Sequence, residues 1–167
     1  MPPVATPAPL HIRAATEADV PQLLAFIRQL AAYEKLAHEV VATEESLHAA
    51  LFRGRKVAEA LIGESAGQPV AFALFFHNFS TFLAQPGLYL EDLFVLPEHR
   101  GQGHGQAMLT HLAKIAHARG CGRFEWSVLD WNEDAIGFYR KLGAVPMNDW
   151  TVFRLTGEAL TRLATSD

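Results

Sequence analysis

The chain has 167 residues, half of them apolar, a formal net charge of −4 and a single cysteine. That length and apolar content fit one globular domain with a sizeable core. The acid excess argues against a general nucleic-acid binder, and the lone Cys121 excludes an intrachain disulfide framework and suits a reducing compartment.

No apolar run reaches the roughly 20 residues needed to cross a bilayer, and Met1 to Pro9 lacks the basic and apolar regions of a signal peptide. A Pro-rich disordered arm over residues 1–9, a single domain over 10–167, a cytoplasmic location and no membrane contact are therefore expected.

In chain order, Leu10 to Ala14 predicts a short strand, and Thr16 with Asp19 caps a helix. Its stripe is Val20, Leu23, Leu24, Ile27, Leu30 and Ala31, ending near Tyr33 or Lys35. Thr43 opens a second helix that stops by Gly54. A hairpin follows: Lys56 to Gly63, a polar loop over Ser65 to Pro69, then Val70 to Phe76 with both faces apolar. Leu88 to Val95 makes the next strand, closed by Pro97.

Met108, Leu109, Leu112, Ile115 and Ala116 share one stripe of the helix after the glycines. Gly120 and Gly122 then precede a strand from Arg123 to Leu129. Asp130-Trp131-Asn132 leads into a helix from Glu133 to Leu142, stopped by Gly143. Trp150 to Leu155 is expected as a final strand, and Thr156 as the cap of a terminal helix to about Leu163. The order predicts an α/β fold, a sheet of mixed strand directions with helices on both faces.

Between strand and helix stands Arg100-Gly101-Gln102-Gly103-His104-Gly105. Alternating glycines let backbone N–H groups approach an anion, and the helix dipole and Arg100 add positive charge. The glycines alone suit a plain strand-to-helix turn as well. The P-loop fails for want of a Lys followed by Ser or Thr, and the dinucleotide fingerprint fails because Gln106 or Met108 falls where its last small residue belongs.

Glu91 and Asp92 interrupt the apolar strand, and alternation sends their side chains to opposite faces. Either they reach solvent or a partner such as Arg123, or they bind an ammonium group and take its proton. Tyr139 fills a short helix like any aromatic, but its hydroxyl suits protonation of a departing thiolate. No two of the eight histidines stand three or four apart, so no helix-borne metal site is expected. His99 and His104 read as solvated loop residues that could touch phosphate, and nothing marks Cys121 as a nucleophile.

From Leu88 onward the chain resembles the diamine acetyltransferase branch of the GNAT superfamily, which includes spermidine/spermine and thialysine N-acetyltransferases. The similarity covers roughly residues 10–165 and rests on Tyr33-Glu34-Lys35-Leu36, Tyr89-Leu90-Glu91-Asp92, the R-G-x-G-x-G turn, Leu129-Asp130-Trp131-Asn132 and Phe138-Tyr139-Arg140-Lys141-Leu142-Gly143-Ala144. It implies the GNAT-type sheet, mixed and mostly antiparallel, and an amine N-acetyltransferase using acetyl-CoA in a ternary complex, with no metal.

By position, the resemblance assigns Leu93, Phe94 and Val95 to the pantetheine and thioester. Arg100, Gly101, Gln102, Gly103, His104, Gly105 and Gln106 match the pyrophosphate loop, and Asn132, Glu133, Asp134 and Ala135 a second cofactor contact. Tyr139 matches the general acid, also at the cofactor, and Glu91 the carboxylate that deprotonates the amine through water. Tyr33, Glu34, Glu91, Asp92, Glu125, Trp126 and Ser127 fall at the substrate groove. A homodimer is implied in the same way.

Two departures bear on the amine: Val145 to Asp149 is short where eukaryotic relatives carry a longer acidic loop, and Gln29 replaces a common glutamate. Thialysine, lysine-like amino acids and short diamines therefore compete with spermidine. An acetyl-CoA sensor without turnover and a protein or peptide N-acetyltransferase are the alternatives.

Overall fold

Asp19 organises the beginning of the fold. Its carboxylate accepts from the Thr16 amide at 2.7 Å and the Thr16 hydroxyl at 2.9 Å, as the expected cap requires. The same carboxylate takes the Arg13 guanidinium through two bonds of 2.7 and 2.8 Å, while Arg13 Nε donates to Glu64 at 2.8 Å. The computed structural model describes residues 9–166, and the arm expected over 1–9 lies almost wholly outside the described residues.

Arg13 belongs to β1 (His11–Ala14) and Glu64 to β2 (Glu59–Ser65), so this network ties two strands to the start of α1 (Val20–Tyr33) through a short 3-10 turn at Glu17–Asp19. Hydrogen bonds from Arg13 hold the Asp19 carboxyl well below the ordinary carboxylate range. A depressed acid stabilises the fold above its unfolded pKa of ~3.9 and loses that contribution as pH falls towards the folded value. Asp19→Ala is expected to cost about 2 kcal/mol in denaturant unfolding at pH 7, with the deficit shrinking below about pH 4; an equal deficit at pH 7 and pH 3 would contradict this account.

Thr43 caps α2 (Glu44–Phe52), its hydroxyl accepting from the Ser46 amide at 3.1 Å. β2 then turns directly into β3 (Gln68–Ser80), with Ser65 paired to Gln68 across a two-residue turn, Ala66-Gly67, both at positive φ. This is tighter than the loop expected over Ser65 to Pro69, because positive φ at both central positions matches the twist of a hairpin and lets the ladder run to its end. Pro69 is accommodated inside β3 opposite Glu64, where the register shifts.

β4 (Gln85–Val95) pairs antiparallel with β3 and parallel with β5 (Arg123–Trp126), giving the order β1-β2-β3-β4-β5. Helices cover both faces of this mixed, mostly antiparallel sheet, as expected. Ile62, Phe72 and Phe94 stand side by side in register and pack against Leu23, Phe26 and Leu30 of α1; the Phe26 and Phe72 rings stack at 5.6 Å. Gly63 and Ala71 point the other way, towards Met108 of α3 (His104–Ala118).

A Cβ on Gly63 would meet Ala71, Leu10 and Met108 atoms at 3.2 Å each, so the absent side chain lets α3 approach the sheet.

By its internal contacts the chain divides into two compact units, one closing at Ser127 and the other opening at Val128. The second holds α4 (Glu133–Lys141) and α5 (Gly157–Ala164). The strand expected over Trp150 to Leu155 does not form. Among the described residues no ladder includes it, and Trp150, Val152 and Phe153 are 75, 83 and 91% exposed. Alternating apolar residues favour a strand only where a neighbouring strand accepts them.

Candidate active site

The site grows out of an irregularity in β4. Leu74 stands opposite Asp92 but Phe75 opposite Leu90, so Glu91 is one residue too many and forms a β-bulge. Regular alternation, expected to send Glu91 and Asp92 to opposite faces, is broken here. Asp92 shares the α1 face with Phe94 and Leu74, while Leu90 shares the α3 face with Phe75, over which Arg119 stacks at 5.8 Å. The extra residue, Glu91, is exposed.

The bulge also marks where β4 and β5 part. β5 pairs with β4 only from Gly87 to Leu90, ending at Trp126. Among the described residues, the β5-side edge of Glu91 to Val95 has no sheet partner, and this open edge runs on to the glycine turn. An unpaired strand edge offers N–H and C=O groups to an extended ligand.

Gly101 and Gly103 adopt φ of 72° and 81°, a conformation that glycine alone reaches cheaply, and Gly103 is the first cap of α3. The first-turn amides of α3 have no intrahelical acceptor, and among the described residues no side chain caps them. Among the described residues, a Cβ on Gly101, Gly103 or Gly105 would meet nothing within 4 Å. The turn is thus open on its outer side, with donors and the positive helix end available to an anion.

Gln102 and Gln106 are exposed around it, and Gln102 donates to the Glu98 carbonyl at 3.3 Å. His104, expected as a solvated loop residue, is instead the buried first residue of α3, 4% exposed. Burial, and then His99, pushes its pKa down, which favours the neutral ring; among the described residues its buried Nε2 has no hydrogen-bond partner. Leucine stripes reveal helix cores, but they give no warning that a polar residue at the helix start turns inward.

Acidic character gathers on the α1 side of the bulge. α1 ends at Tyr33, and Lys35 enters the left-handed region at φ 63° so that the Leu36 amide can bond the Ala31 carbonyl at 2.8 Å. This closure holds Tyr33 and Glu34 at the helix end. Burial raises the Glu34 pKa. Asp92 is pushed up to about 6, first by burial and then by the negative charges of Glu91 and Glu34. Three carboxyl groups therefore share one field, and the most buried of them is the easiest to protonate.

The wall continues along β4 and β5. Tyr89 pairs in register with Phe76 and Glu125 and so lies on the same side of the sheet; its hydroxyl meets Ser127 Oγ at 2.7 Å and its ring lies 5.1 Å from that of Phe76. Arg123, considered above as a partner for Glu91 or Asp92, pairs instead with Glu125 at 2.5 Å, and Asn78 donates to the same carboxylate at 3.5 Å. Glu125 thus brings less uncompensated charge than Asp92. Trp126 is half-buried beside Phe124, ring centroids 5.0 Å apart.

The sequence reading gives Phe76 and Asn78 no site role, and Tyr89 none beyond its place in the motif Tyr89-Leu90-Glu91-Asp92. Tyr89 carried a signal, a polar-tipped aromatic two residues before a carboxylate, but its pairing with Ser127 depends on the parallel alignment of two distant strands.

In the second unit, the Asn132 side chain accepts from the Ala135 amide at 3.3 Å and caps α4, with Glu133 and Asp134 exposed in its first turn. Tyr139 lies on α4, half-buried, its ring centroid 5.5 Å from that of Phe138.

The profile of the acetyltransferase (GNAT) family matches residues 24–144. The chain is 38% identical to the mouse thialysine N-epsilon-acetyltransferase over 94% of its own length and 98% of that protein. It is 34% identical to the L-ornithine N5-acetyltransferase of Arabidopsis thaliana, covering 90% of this chain and 86% of that one. Among solved structures, an integron cassette protein from the mobile metagenome of V. cholerae superposes with a TM-score of 0.79 at 25% identity, covering 94% of this chain and 98% of that one.

Proposed function

Since the chain belongs to the acetyltransferase (GNAT) family and is an acyltransferase, we propose that it moves the acetyl group of acetyl-CoA to a primary amine of a small cationic substrate. That substrate is a thialysine-like amino acid, a diamine or a polyamine, and the amine attacks directly in a ternary complex. The observation that carries this reading is the carboxylate group at the bulge, with Asp92 raised to about 6 beside Glu91 and Glu34. It adjoins the open β4 edge that leads to an uncapped helix N-terminus.

An amine with the lysine reference pKa of ~10.4 is protonated at pH 7 and has no lone pair for attack. The acidic field first attracts the ammonium ion and then accepts its proton, with exposed Glu91 passing it to solvent through water. The freed nitrogen forms its bond to the thioester carbonyl carbon, and backbone N–H groups of Leu93 to Val95 stabilise the oxyanion that develops. The carbon–sulfur bond then breaks, the Tyr139 hydroxyl supplies the proton taken by the leaving thiolate, and the second proton lost by the acylated nitrogen leaves a neutral amide and restores the phenol.

Gly101 to Gln106 hold the pyrophosphate, and Asn132 to Ala135 give a second contact to the same co-substrate. Residues 10–167 work as one N-acetyltransferase domain, which the family match spanning both compact units supports. The enzyme works as a cytoplasmic homodimer, without metal. Among the described residues no helix is long and apolar enough to cross a membrane.

Thiol release from acetyl-CoA across a panel of thialysine, lysine, ornithine, putrescine, spermidine and lysine-containing peptides tests the reading. Turnover is expected with small amines carrying a second charged group, with peptides slower. Cofactor binding without turnover on any amine would make the protein a sensor, and peptides outcompeting small amines would make it a protein acetyltransferase; either result would overturn the proposal.

A further inference from the structure

We propose that Arg100 is a positioning residue for the amine, acting through Tyr33 to hold Glu34 against β4. The inference rests on the amine acetyltransferase reading above. Position alone assigns Arg100 to the anion-binding turn, but its guanidinium is engaged elsewhere. Its central carbon lies 4.6 Å from the centroid of the Tyr33 ring and 5.5 Å from that of Phe94, and its Nε donates to the Val95 carbonyl at 3.0 Å.

These contacts join three parts of the site. Tyr33 is the last residue of α1 and Glu34 is its cap, so whatever fixes the Tyr33 ring also fixes the carboxylate beside it. Phe94 belongs to the core cluster that packs α1 on the sheet, two residues beyond Asp92 on the same face. The Val95 carbonyl ends β4, and its bond with Nε orients the guanidinium plane. A planar cation can stack on an aromatic ring and bond a carbonyl edgewise at once, which an ammonium cannot.

The consequence is a link between the two halves of the reaction. The residue that opens the glycine turn also closes the helix end that bears Glu34, so the acidic recess is built before the amine arrives. Tyr33 and Arg100 are separated widely in sequence, and only packing brings them together.

Isothermal titration for the cofactor and steady-state kinetics for the best amine, on Arg100→Met, Tyr33→Leu and the double variant, test this. Arg100→Met is expected to raise the amine KM about fivefold, with cofactor Kd changed by less than about twofold. In the Tyr33→Leu background it is expected to add little further, because the two act as a unit. Arg100→Lys, which keeps the charge but not the plane, is expected to share the amine defect and serves if the Met variant does not fold. A cofactor Kd raised tenfold with amine KM unchanged, or additive effects in the double variant, would overturn the inference. Wild-type protein without turnover on any amine would defeat the functional reading itself, whereas wild-type turnover with a cofactor-only defect defeats this inference alone.

Discussion

Asp92→Asn is expected to make the protein more stable and less active. The folded pKa of Asp92, about 6, lies above the ordinary carboxylate value of 3.8. A group shifted in that direction favours the fold at pH values below its unfolded pKa, and the advantage is lost as pH rises through the folded value. Above about pH 6 the native state therefore carries an ionised carboxylate in a recess that disfavours it.

A neutral amide of the same shape removes that cost, giving a gain of about 2 kcal/mol at pH 7.5, or roughly 5 °C in Tm. The gain should fade below about pH 4, where Asp92 is protonated in folded and unfolded chains alike. At the same pH 7.5, kcat/KM for cationic amines is expected to fall about 10- to 100-fold, the loss of a charge-assisted contact to an ammonium ion. Thermal melts at pH 7.5 and 3.5 with parallel kinetics check both halves. A variant no more stable than wild type at pH 7.5 would show that Asp92 is not held at a cost.

Tyr139→Phe is expected to lower kcat about 10²- to 10⁴-fold, the range for losing a positioned acid, with cofactor Kd within about twofold. An ordinary phenol, with a reference pKa of ~10, remains protonated at neutral pH and can deliver a proton to a thiolate whose conjugate acid has a reference value of ~8.5. Its acidity is weak, so placement carries the effect. The hydroxyl is the only atom removed, so loss of packing is not at issue. Stopped-flow thiol release with saturating co-substrates reads the step directly; unchanged kcat would take Tyr139 out of the chemistry.

The sequence made the local features legible because their causes are local. Thr43 with Ser46 caps α2 as its spacing implies, Thr16 with Asp19 caps the 3-10 turn that leads into α1, and the stripe through Leu23 and Leu30 faces the core. The glycine turn was readable for the same reason, since positive φ at Gly101 and Gly103 is a backbone demand written into residue type. So was the presence of carboxylates at Glu91 and Asp92.

How those carboxylates are placed was not readable, because a bulge is a property of two strands in register. Nothing in Leu90-Glu91-Asp92 says that Leu74 and Phe75 will skip a residue between them. The same holds for Arg123, which chose Glu125 on its own strand, and for Arg100, whose charge suggested an anion while its packing turned it to Tyr33. Trp150 to Leu155 erred in the other direction: its apolar residues read as a strand, but a strand requires a neighbour as well as a propensity.

In the proposed reaction the acetyl group passes directly to an amine held beside Asp92 and Glu34, with both substrates present together. Initial velocities with acetyl-CoA and the best amine varied over a grid measure this most directly. Direct transfer predicts double-reciprocal lines that intersect, and no acetylated protein when amine is omitted. Parallel lines, with an acetyl group recovered on the enzyme, would mean a covalent relay and contradict it.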